Sequence, residues 1–129
     1  MNDRAFYEKQ VMGYLGAVDA PDAEAVMRFL ATDPMLIVVP AGAVMRGRGE
    51  VGGALAGLFA RSGGMKHEVL ALIVDTETGR VAIELNYHDR PKEGGPWTIL
   101  HDSTHLHFDA EGKIEKIQFW MGHDTAATA

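Results

Sequence analysis

The stretch from Ile99 to Met121, ILHDSTHLHFDAEGKIEKIQFWM, constrains the fold more than any other part of the chain. Up to Phe108 it alternates strictly, with His101, Ser103, His105 and His107 on one side and Asp102, Thr104, Leu106 and Phe108 on the other. That period of two belongs to a β-strand with unlike faces. Asp109-Ala110-Glu111-Gly112 supplies a turn, acid first and glycine last, and the chain returns through Ile114, Ile117, Phe119 and Met121. The segment is a long β-hairpin.

A chain of 129 residues and 14.0 kDa forms one domain, 1–129, large enough to bury roughly two thirds of its unfolded surface without a disulfide or metal. It has room for a core and a pocket. With no cysteine there is no disulfide framework, thiolate nucleophile or cysteine zinc site, which suits the cytoplasm. The amino end, MNDRAFYEKQ, has no basic segment leading into an apolar run, and nowhere do eighteen apolar residues stand together. A cytoplasmic protein without membrane attachment is expected. A net charge of -6 with scattered Lys and Arg offers no basic stripe for phosphates, so nucleic acid is not an expected partner.

Read in order, Asp3 to Val18 has apolar residues Phe6, Val11, Tyr14, Leu15 and Val18 at helical spacing, with Asn2 or Asp3 as cap. Gly13 and Gly16 weaken that helix by about 1 kcal/mol each relative to alanine unless a neighbour needs the space. Asp19-Ala20-Pro21-Asp22 starts a short second helix, with Asp19 at its cap and Thr32-Asp33-Pro34 as its stop. Met35 to Val39 reads as a short strand buried on both sides. Glu50 to Arg61 is a third helix, from Val51, Leu55, Leu58 and Phe59. GRGEVGG lacks a P-loop lysine, so its glycines point to close packing and not to phosphate binding. Four strands follow, Glu68 to Val74, Val81 to His88, Trp97 to Phe108 and Lys113 to Met121, with a fraying tail from Gly122. Helices segregated against one side of a curved antiparallel meander make an α+β cone with a cavity between the layers.

Three segments, YLGAVDAPDAEAVMRFLATDP, MRGRGEVGGALAGLF and HLHFDAEGKIEKIQFW, carry a resemblance that spans nearly the whole chain. The chain resembles the nuclear transport factor 2-like superfamily, and within it the SnoaL-like polyketide cyclases and the ketosteroid isomerases. The resemblance implies a cystatin-like, cone-shaped curved antiparallel sheet with three helices of the N-terminal half on its concave side, and a homodimer. Its motifs specify the fold far better than the reaction. In the isomerases a tyrosine of the first helix and a protonated aspartate of the penultimate strand make the oxyanion hole, while an aspartate ending the first strand moves the proton. The tyrosine matches Tyr14, but the base position falls on Val39 and the oxyanion aspartate on Thr104. Steroid isomerisation by that mechanism is therefore not expected.

Asp102 shares the Thr104 face and is the nearest substitute acid. In apolar company its pKa would rise, making it an acid or base near neutrality, with Tyr14 donating to a developing oxyanion. These two are the candidate catalytic residues. Thr104, Leu106, Ile117, Phe119 and Met121 are the expected pocket wall, joined by Phe59 from the third helix and Val39 from the first strand. Against this stands an ordinary reading, in which Asp102 bonds a loop backbone at the rim and Tyr14 is a core residue. His105-x-His107 with His101 and Glu111 has the look of a cupin metal set, but Glu111 lies in the turn, the expected glycines are missing and the isomerase-like register turns this face outward. No metal and no cofactor are expected. His67 and His123 are assigned to the surface in preference to the cavity mouth. The chain thus reads as a binder of a small apolar molecule and a candidate cofactor-free isomerase, cyclase or dehydratase; the alternative is a non-catalytic binding or assembly module.

Overall fold

A computed structural model describes residues 2–124. Helix α1, Arg4–Asp19, is capped by Asp3, whose carboxylate accepts from the Phe6 N–H at 2.9 Å, and it buries Tyr7, Val11, Tyr14, Leu15 and Val18. Helix α2, Ala23–Phe29, starts at Asp22, which accepts from the Ala25 N–H at 3.1 Å. Asp22 is therefore the cap, and Asp19, expected in that role, is instead the last residue of α1. The glycine in α1 has a packing reason: a Cβ on Gly13 would stand 2.6 Å from Cζ of Phe29, so the two helices meet only because that position is bare.

Among the described residues six strands form, not five. Strand β1, Leu30–Val39, begins well before the expected Met35, so the Thr32-Asp33-Pro34 segment lies within an irregular strand and α2 has already ended at Phe29. Strand β2 is Ala43–Arg46, and α3 runs from Gly47–Arg61, three residues earlier than its apolar spacing suggests. The long strands are β3, Ser62–Asp75, β4, Arg80–Pro91, β5, Thr98–Phe108, and β6, Ile114–Asp124. Strand β6 thus continues through Gly122, where a frayed tail was expected; the side chains of His123 and Asp124 and everything after them lie outside the described residues.

The sheet order is β2-β1-β6-β5-β4-β3, antiparallel throughout except where β1 pairs parallel with β6. Arginine in the GRGE segment fixes the joint between helices and sheet. The Arg48 guanidinium donates to the carbonyls of Met27, Leu30 and Ala31 at 3.0, 3.2 and 3.0 Å, where α2 gives way to β1. Asp109 closes the β5–β6 turn by accepting from the Glu111 and Lys113 N–H groups, both at 2.9 Å. Gly112 in that turn has φ +80°, and a Cβ there would come within 2.5 Å of Phe6 Cζ, so the turn is locked under α1. Val11, Val26, Val51, Ile83, Leu106, Ile114 and Ile117 fill the space between helices and sheet, making an α+β cone whose core occupies one end. No helix among the described residues is long and apolar enough to cross a membrane.

Candidate functional site

Alternation decides which side chains reach the open end of the cone. On β5 the buried set is Asp102, Thr104, Leu106 and Phe108. Across from them on β6, Met121 is the register partner of Asp102 and Phe119 that of Thr104. These four strand residues, Asp102, Thr104, Phe119 and Met121, form one wall of a cavity of about 330 Å³. Tyr14, Leu15 and Val18 of α1 and Ala54, Leu55, Leu58 and Arg61 of α3 cover it. Leu36, Val38 and Met45 close one side, and His67 of β3 and Tyr87 of β4 the other.

Four residues assigned to the wall stand elsewhere. Leu106 and Ile117 share the inward face but are fully buried core; the strands outrun the cavity, and their deeper part lies beneath α1, where Tyr7 meets Phe108 edge-on at 5.1 Å. Val39 pairs with Trp120 on the outer face, and its neighbour Val38, the partner of Phe119, faces the cavity instead. A shift of one residue along a strand reverses the side. Phe59 packs against the core from α3 while Leu58 takes the lining position.

Asp102 is 5% exposed and has little water to stabilise its charge. Burial raises its pKa above the ordinary carboxylate range, opposed by the Thr104 hydroxyl, which donates to Oδ1 at 3.1 Å, and by His67 and His101. Tyr14 is buried at the same cavity; burial first, and then the Asp102 charge, push its phenol strongly upward, so it remains a hydrogen-bond donor. Tyr87 is raised in the same direction, by burial first and then by Asp89 and Asp19.

One pair is absent from the sequence reading. His67, assigned there to the surface, lines the cavity, and its Nδ1 lies 2.6 Å from Oδ1 of Asp19, while its backbone N–H donates to Oδ2 at 2.9 Å. A carboxylate accepts, so Nδ1 carries the hydrogen and Nε2 is the nitrogen with a free lone pair in the neutral ring. The Tyr87 ring lies 5.0 Å away. Parity along β3 places His67 on the face of buried Met65, a weak signal, but nothing local joins it to a residue 48 positions earlier.

The opposite face holds the other histidines apart. His101 meets Asn86 at 3.2 Å and Glu84 at 3.5 Å, and His88 meets Glu68 at 3.3 Å. His105 packs on Trp120 at 4.6 Å, and His107 has its pKa lowered by burial first and then by Arg80 and Lys116. Among the described residues no three His, Asp or Glu side chains converge as a metal site requires.

The SnoaL-like domain family matches residues 11–117, most of the length just described. The chain belongs to that family. The SnoaL-like cone also matches solved structures across nearly its whole length. A protein from Catenulispora acidiphila with a ketosteroid isomerase-like fold, solved with trimethylamine, superposes with TM-score 0.77 at 20% identity over 88% of this chain and 85% of that one. The epoxide hydrolase/cyclase-like enzyme SalBIII, described as acting in pyran ring formation in the polyether salinomycin, gives TM-score 0.82 at 17% identity over 95% of each chain. A SnoaL-like polyketide cyclase from Shewanella denitrificans gives 0.82 at 16% identity, over 97% of this chain and 96% of that one. At these identities the likeness is one of fold. No curated protein matches the sequence.

Proposed function

We propose that this SnoaL-like chain is an acid/base catalyst that works without a cofactor on a small, largely apolar molecule held in the cone, in an isomerisation, cyclisation or dehydration. One observation carries the proposal. Asp102 and the Asp19-held His67 face the same apolar cavity from different environments, one desolvated and one tethered to a carboxylate. Groups so divided can take opposite roles in proton transfer. In this mechanism Nε2 of His67 removes a proton from a carbon next to a carbonyl, Tyr14 donates to the oxygen as charge builds there, and protonated Asp102 delivers a proton to the far carbon or to a departing hydroxyl. Val38 faces the cavity at the end of β1 and Thr104 on β5, where the isomerases carry aspartates, so steroid isomerisation by the familiar arrangement is not part of the proposal.

The test is proton exchange. Small cyclic and aromatic ketones incubated with the protein in deuterated buffer should lose C–H signals adjacent to the carbonyl faster than in buffer alone. His67→Gln and Asp102→Asn should each reduce that acceleration by about 100-fold or more. Exchange at the wild-type rate in both variants would sink the assignment. Binding of the ketones with no exchange at all would instead favour a non-catalytic binding module.

A homodimer belongs to the same proposal, with the outer sheet face as its contact. Ile73, Ala82, His105, Gln118, Ile37 and Val44 stand in one register row across all six strands, and Trp120 lies beside it. Ile73, on the edge strand β3, is 68% exposed, and Trp120, on the inner strand β6, 36%, open apolar surface on the outer face of the sheet.

A further inference from the structure

The cavity wall contains one cation with nothing to hold. Arg61, the last residue of α3, lines the cavity. Arg4 pairs with Glu8 at 2.7 Å and Arg48 is committed to three carbonyls, but Arg61 has no ion-pair or hydrogen-bond partner among the described residues. Its guanidinium lies back over Gly57, where a Cβ would stand 3.2 Å from Nη1; the bare helix face gives the arginine room to lie along α3. The acids beside the same cavity make no ion pair with it. Asp19 is already engaged by both the ring and the backbone N–H of His67, and desolvation favours the neutral form of Asp102. Among the described residues Arg61 is therefore a cation at the cavity without a counter-ion in contact, on an otherwise largely apolar lining.

We propose that the molecule bound in the cone carries an acidic group, a carboxylate, which Arg61 receives while the apolar body lies against Leu55, Leu58, Phe119 and Met121. The planar fork of a guanidinium matches a carboxylate with two parallel N–H···O bonds. Arg61 is exposed, so water and salt weaken the pairing, and its effect is a preference for acids over neutral congeners more than a large gain in affinity. The inference rests on the cone being a ligand site, as proposed above.

The experiment uses naphthoate and the matching naphthamide, which differ in charge but hardly in shape. Calorimetric titration of the wild-type protein at low salt should show naphthoate binding about tenfold more tightly than naphthamide. Arg61→Gln should remove that preference, so that naphthoate binds no more tightly than naphthamide to the variant, while Arg61→Lys should keep part of it. Equal binding of both probes to wild type, or a preference that survives in Arg61→Gln, would overturn the role of Arg61 and leave the ligand site standing. Binding of neither probe would overturn the ligand site and this inference with it. An unaltered circular dichroism spectrum and melting temperature in Arg61→Gln would confirm that the comparison is between folded proteins.

Discussion

At the scale of single residues the cone places its polar groups where an apolar protein of this size would do better without them. Asp102 is the clearest case, because burial raises its pKa and, among the described residues, only Thr104 donates to it directly. The raised pKa fixes a sign. Between the unfolded carboxyl value, about 3.9, and the higher folded one, the folded state binds more protons than the unfolded state. The contribution of this group is fully present below the unfolded value and is lost as pH rises through the folded one. Asp102→Asn should therefore stabilise the protein at neutral pH while reducing the proposed proton exchange by about 100-fold or more. The gain should vanish towards pH 3. Thermal melts of both proteins from pH 3 to 8 give the answer; parallel curves at all pH values would contradict a desolvated carboxyl. His67 is different in kind, because its tether to Asp19 joins the end of α1 to β3 and owes nothing to its own neighbours in sequence.

Among the elements, the two joints at the start and end of the fold carry the clearest dependence on particular side chains. The β5–β6 turn puts Gly112 at positive φ directly under Phe6. Gly112→Ala should cost about 1–3 kcal/mol, because the new methyl group meets both a disfavoured backbone conformation and an aromatic ring. Gly42→Ala, also at positive φ but with open space around its Cβ, should cost only the backbone part. Chemical denaturation of the two variants compares them directly, and an equal loss would mean that Phe6 simply moves aside. Strand β1 illustrates how elements set function: its parallel pairing with β6 aligns Val38 with Phe119 and Val39 with Trp120, so Val38 and not Val39 faces the cavity.

For the whole molecule, the open row from Val44 to Ile73 and the exposed indole of Trp120 on one face, and the cavity on the other, give the sheet two unlike sides, of which the proposal assigns the first to assembly and the second to binding. Wild-type protein should sediment as a dimer of the 14.0 kDa chain, and Trp120→Glu, which would place a charge in the middle of the outer face, should shift it to monomer at micromolar concentration. A monomeric wild-type protein would remove the outer face as a dimer contact. How much of this was legible beforehand follows from the range of the interactions involved. The alternation of Ile99–Phe108 sufficed to assign Asp102 and Thr104 to one face and His101, His105 and His107 to the other, because strand parity is a property of consecutive residues. Helical spacing likewise located three helices, and turn chemistry located the final hairpin. The side faced by Val39, the depth at which Leu106 and Ile117 leave the cavity for the core, and the meeting of Asp19 with His67 all depend on pairing and packing between distant segments. Local pattern determined which face each strand residue belongs to; only the tertiary structure decided how far along that face the cavity reaches and which groups from other elements meet there, because contacts such as Asp19 with His67 close over 48 residues and leave no periodic trace.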